Sequence, residues 1–157
     1  MKQWKMKVNV ILCFAIVLMT AGCSDSVSDP RGFTDFEQIQ EEYLETIENL
    51  NWPEGVTLPD KLEGEDTSAS FQTGFGETRA SNLWEYYWMQ EWLDTYETDS
   101  ERADKALDEL EKAFDMPYMG EDRCDDATRN YLRENIDKAK SGDPSGFEEC
   151  IDVNYAD

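Results

Sequence analysis

The stretch Leu83–Tyr96, LWEYYWMQEWLDTY, constrains this chain more than any other. Trp84, Trp88 and Trp92 recur every four residues, a spacing that stacks three indoles along one side of a helix. Leu83, Tyr87, Met89, Leu93 and Tyr96 cover most of the remaining circumference. A helix that is apolar nearly all round must be buried by other elements. The stretch is therefore expected to be the central helix of a small helical domain, running from about Glu77 to Tyr96. Aromatic residues make up 12% of the chain and bury large areas each, so they offset a low aliphatic content. The expected core is small and rich in Trp, Tyr and Phe.

The flanking segments carry helix signals of their own. Thr34 and Glu37 match a capping box, and Phe36, Ile39, Tyr43, Ile47 and Leu50 form one apolar stripe, so a first helix is expected over Asp35–Asn51. Pro53 ends it, because the residue before a proline avoids helical geometry. Trp52–Gly76 has no strong periodicity and reads as a long irregular loop, with a short strand near Ser70–Thr73. Thr98 and Glu101 form a second capping box ahead of a helix over Ser100–Phe114, with Glu101–Lys105 and Asp108–Lys112 as i,i+4 ion pairs. A fourth helix opens at Asp122 or Asp125 and runs to Lys140. Asp143 and Pro144 start a short fifth helix with Phe147, Cys150 and Ile151 inward, and residues 154–157 are expected to fray. The fold class expected is all-α: a bundle of four to five helices around the aromatic central one, formed by a single acidic domain over 33–157.

The start of the chain has a different character. Lys2, Lys5 and Lys7 precede an apolar run, Val8–Thr20, that is too short to span a bilayer comfortably. Ala21, Gly22 and Cys23 follow. A basic start, an apolar run and small residues before a cleavage point describe a secretory signal. The ending AGC resembles the lipobox of bacterial lipoproteins, with Thr20 standing where that family usually has Leu. The resemblance covers residues 1–23 alone. It implies cleavage between Gly22 and Cys23, removal of residues 1–22 and diacylglycerol attachment to Cys23. It also implies residence at the cell membrane, facing the extracytoplasmic side. Acyl chains hold such a protein because each buried CH₂ contributes about 0.8 kcal/mol. Ser24–Gly32 is polar and reads as a flexible tether between the lipidated Cys23 and the domain.

Charge narrows the partners. The chain has 14 basic and 36 acidic residues, a net charge of −22. With the three lysines of the signal set aside, 11 basic residues against 36 acidic ones leave −25. Such a surface repels phosphate backbones, so no nucleic-acid partner is expected. It attracts a basic protein or peptide. There is no His, which excludes Ser-His-Asp and Cys-His catalysis, His-ligated zinc and a His-based pH switch. No catalytic constellation, metal site or cofactor motif is expected. The acids around Cys124 lack EF-hand spacing and suit a helix start. Once Cys13 leaves with the signal and Cys23 takes the lipid, Cys124 and Cys150 remain, and an oxidising compartment favours a disulfide between them.

Candidate ligand-binding residues lie at the start of the central helix: Phe75, Arg79, Trp84, Glu85 and Trp88. Gly74 and Gly76 precede a helix N-terminus, where free N–H groups attract anions. Glu85 sits among aromatics, an environment that can raise a carboxyl pKa, although exposure to solvent or a pair with Arg79 is the simpler expectation. The Trp row either lines a groove or fills the core. Core is favoured, because nothing else in the chain is apolar enough to serve. The function expected is non-catalytic binding of a protein or peptide partner by a lipid-anchored domain. The alternative is a small-ligand or glycan module using the Phe71–Tyr96 aromatics.

Overall fold

The structure, a computed structural model, describes residues 32–155. It is mostly helical, with helices α1 (Phe36–Asn49), α2 (Phe75–Thr95), α3 (Ser100–Glu111), α4 (Asp126–Lys140) and α5 (Ser145–Asn154). Two 3₁₀ turns, Lys112–Asp115 and Pro117–Met119, connect α3 to α4. The apolar stripe of α1 points inward through Ile39, Tyr43 and Ile47, leaving the Glu-rich face in solvent. Both N-caps fall one residue later than the capping boxes indicate. Asp35 caps α1 by accepting from the Gln38 N–H, and Asp99 caps α3 by accepting from the Arg102 N–H. Aspartate caps at least as well as threonine, and Thr34 is drawn instead into strand pairing. Asp125 caps α4 from the acid cluster around Cys124.

The expected strand forms, and its partner lies at the start of the domain. β1 (Phe33–Thr34) pairs antiparallel with β2 (Phe71–Gln72), Phe33 opposite Gln72 and Thr34 opposite Phe71. The Gly32 carbonyl extends the ladder by accepting from the Thr73 N–H and hydroxyl at 3.0 and 3.2 Å. The long loop is laid onto the helices by specific contacts. Leu62 is buried, and its N–H donates to the Gln40 side chain on α1 at 3.0 Å. The Tyr87 hydroxyl on α2 donates to the Thr57 carbonyl, and the Trp52 indole to the Ile47 carbonyl at 2.9 Å.

α2 packs against α1, α3, α5 and the second 3₁₀ turn. Its first half joins Ile39, Tyr43, Ile47, Leu62 and Phe71 through Ala80. Its second half brings Trp84, Trp88, Met89 and Trp92 into a larger cluster with α3, α4 and α5. Trp52 touches both clusters. Phe147 of α5 meets Trp92 edge-on at 5.4 Å, a geometry aromatic rings favour. The i,i+4 pairs expected within α3 do not carry its charges. Arg102 reaches across to Glu91 of α2 with two bonds of 2.7 and 2.8 Å, Lys105 lies 5.7 Å over the Trp88 ring, and Lys112 pairs with Glu109. The packing of α3 on α2 brings Glu91 and the Trp88 ring within reach of Arg102 and Lys105, while Lys112 pairs locally, three residues from Glu109.

Candidate functional site

The structure separates the five candidate residues into three environments. Trp84 and Trp88 are core, 0% and 1% exposed. Their indole N–H groups converge on one acceptor, the Asn51 carbonyl, at 2.8 and 3.1 Å. The four-residue spacing that stacks the rings also aims both donors at the chain leaving α1. Their faces are therefore closed to a ligand. Phe75 is half-buried against Phe71 at 5.3 Å. Arg79 and Glu85 remain, and they line one groove.

The anion site at the start of α2 is filled from within. The Glu42 carboxylate of α1 accepts from the Gly74 N–H at 3.0 Å through each oxygen and from the Gly76 N–H at 3.2 Å. A carboxylate on free N–H groups at a helix start is favoured by hydrogen bonding and by the helix dipole. Gly74 takes φ +86°, and the Arg123 guanidinium lies where a Cβ would stand. Arg123 in turn pairs with Glu77. This end of α2 is a satisfied structural joint.

The groove lies between α2, the second 3₁₀ turn, α4 and α5 and has a volume of about 700 Å³. Met89, Met119 and Leu132 supply apolar wall, and Thr128, Tyr131 and Tyr155 bring hydroxyl groups. Tyr131 is 40% exposed, unusually open for a large side chain here. Tyr155 is not frayed. Its hydroxyl donates to the Asn82 carbonyl at 2.8 Å and its ring lies 4.9 Å from Tyr86. Arg79, Asn82 and Tyr155 also line a smaller cavity of about 220 Å³ under the loop residues Pro59–Glu63.

Glu85 lines this groove from α2 while being only 8% exposed. The expected exposure or pairing with Arg79 does not occur. Arg79 pairs with Glu65 of the long loop at 3.4 Å, and Glu85 accepts from the Tyr118 hydroxyl. Burial pushes the Glu85 carboxyl up from 4.5 to about 7, against the opposing pull of the Tyr118 hydrogen bond. Tyr118, Tyr155 and Cys150 are all pushed up, first by burial and next by the Glu85 charge. Sequence reasoning found Glu85 and Arg79 but missed Tyr118, Tyr131 and Tyr155. Tyr118 sits in a Pro-containing turn with no periodic signal, and Tyr155 lies at a terminus that composition alone marks as loose.

Cys124 and Cys150 are free thiols, a correction to the expected disulfide. The Cys124 sulfur approaches Met119 Sδ at 3.5 Å, ahead of α4. Cys150 sits mid-α5, buried, with the Asn154 amide at 3.6 Å from its sulfur. Cys124 lies before the start of α4, whereas Cys150 lies in the middle of α5, and each sulfur has its own neighbours.

The Glu85 carboxyl makes stability depend on pH. The folded chain keeps a proton that the unfolded chain releases near 4.5, so this contribution is full below that value and is lost as pH rises through about 7. Between pH 5.5 and 8 the loss amounts to about 2 kcal/mol. Glu85→Gln keeps an acceptor for Tyr118 and carries no proton to lose. Urea unfolding at the two pH values should show the variant gaining on the wild type by that amount at pH 8. An unchanged difference between the proteins would rule the effect out.

Fold and site together define a class: a small, mostly helical domain with a buried carboxyl on the wall of a tyrosine-lined groove. Comparison with family models, with curated proteins and with solved structures found no match for this chain.

Proposed function

We propose that this protein is a lipid-anchored extracytoplasmic lipoprotein whose helical domain, organised around α2, binds a basic protein or peptide in the groove beside Glu85 without catalysing a reaction. The observation that carries the reading is the groove itself, a cavity of about 700 Å³ with a buried acid in its wall, on a chain of net charge −22. Acidic fields raise encounter rates with basic partners and fall off with salt. The AGC ending at Cys23 supports the anchor; it lies outside the described residues. A glycan-binding role for the Phe71–Tyr96 aromatics is less well supported, since Trp84 and Trp88 have no free ring face.

Arrayed peptides of graded net charge test the reading. Basic peptides should bind the full-length protein, with affinity falling as salt rises, and Tyr131→Lys on the open wall should weaken them at least about tenfold. Equal binding of acidic and basic peptides would overturn it. Cys23→Ala should move the protein from the membrane fraction to the soluble one, and retention in the membrane would remove the anchor from the proposal.

A further inference from the structure

Among the described residues two acids, Glu85 and Glu109, are buried, and they are treated differently. Glu109, 7% exposed, has Lys112 at 2.6 Å. Glu85 receives the Tyr118 hydroxyl, and among the described residues no Lys or Arg forms an ion pair with it. Buried carboxylates are ordinarily paired, because an isolated charge loses its hydration without return. Arg79, the cation in the groove wall, is turned to Glu65. The groove therefore presents an acid whose own chain supplies one phenol and no counter-ion.

We propose that the groove recognises a primary ammonium group on a short alkyl stem, as at the end of a lysine side chain, with Glu85 as its counter-ion. The inference rests on the reading of the groove as the partner-binding surface and specifies what enters it. Met119 and Leu132 offer apolar wall to the methylene stem, and the open Tyr131 ring offers a π face to the ammonium. A volume of about 700 Å³ admits such a side chain with its flanking backbone. The ammonium is favoured over a guanidinium for a geometric reason. Guanidinium pairs best through a two-pronged fork, and one Glu85 oxygen already holds the Tyr118 hydroxyl. A compact point charge needs one open oxygen.

Protonation gates the site. The charged or titratable groups facing Glu85 are Arg79 on α2, Tyr118 in the 3₁₀ turn, Cys124 before α4, Tyr131 on α4, and Cys150 and Tyr155 at α5. Burial pushes Tyr118, Tyr155, Cys124 and Cys150 all above their ordinary values, so these four stay uncharged at neutral pH. Glu85, pushed up to about 7 by burial, changes charge between pH 5.5 and 8.

Calorimetric titration of the full chain in nonionic detergent tests the proposal with N-acetyl-lysine methylamide as probe. The norleucine analogue keeps the stem without the charge, and the arginine analogue changes the head group. The lysine probe should bind at pH 8 and weaken at least about tenfold at pH 5.5, as Glu85 takes up its proton. It should also bind at least about tenfold more tightly than the other two. Glu85→Gln should lose that preference and its pH dependence. If Glu85→Gln does not fold, Thr128→Trp serves instead, filling the groove from an exposed position of α4 while leaving Glu85 in place. Equal binding of the norleucine probe, tighter binding at pH 5.5, no binding of the lysine probe, or unchanged affinity in the variant used would each overturn the assignment. Should the lysine probe fail while basic peptides still bind in a Tyr131-dependent manner, the ammonium site falls and the groove reading stands. Loss of both removes the groove reading as well.

Discussion

Gly76→Ala is expected to unfold the domain or leave it barely stable. A Cβ at this position would lie 1.9 Å from the Ile39 carbonyl oxygen and 2.9 Å from the Tyr43 nitrogen. Both are backbone atoms of α1, so no rotamer change relieves the overlap. α1 and α2 would have to separate, disturbing the packing of Ile39 and Tyr43 and the Glu42 hydrogen bonds to Gly74 and Gly76. Overpacking that forces backbone shifts costs about 3 kcal/mol or more, against a total stability for a domain of this size on the order of 5–15 kcal/mol. Gly55→Ala is the control. Gly55 has φ +82° and nothing within 4 Å of an added Cβ, so it should cost only the left-handed strain, about 1–2 kcal/mol. Urea midpoints of the two variants decide the matter, and similar values would mean that the α1–α2 crossing yields more readily than its geometry implies.

Trp84→Ala is expected to cost about 3–5 kcal/mol, the range for truncating a buried aromatic. The ring is fully buried, and its loss opens a cavity between α2 and the helices that follow. Trp84→Phe isolates the indole N–H. The Asn51 carbonyl keeps its bond from Trp88 at 3.1 Å, so the hydrogen-bond loss should be about 1 kcal/mol. Chemical denaturation followed by circular dichroism gives both values. A folded Trp84→Ala protein with near wild-type stability would mean that the ring is not structural and would return it to the list of ligand contacts.

Local signals made the helices legible. The stripes of α1 and α3 point inward because 3.6-residue periodicity is a property of the chain itself, independent of its neighbours. Cap positions were harder, since Thr34 and Asp35 both cap well and strand pairing with Phe71 chose between them. The start of α2 was misleading for a similar reason. Gly74 and Gly76 do mark an anion site, but the anion is Glu42, a residue 32 positions away from its first partner. The charges of α3 were likewise claimed by α2, through Glu91 and the Trp88 ring.

Spacing, composition and capping chemistry were enough to establish a mostly helical, aromatic-cored acidic domain and to single out Glu85 and Arg79, because those properties are written within a few residues of one another. The groove was not written that way. Tyr118, Tyr131 and Tyr155 meet Glu85 from a 3₁₀ turn, α4 and the end of α5. Whether Glu85 is a solvated charge or a buried acid near pH 7 depends on the desolvation those elements impose together. The same holds for Cys124 and Cys150, for which an oxidising compartment was expected to favour a bond and which are free thiols in the packed structure. Burial and non-local distance are properties of the packed helices, and no local reading of the chain contains them.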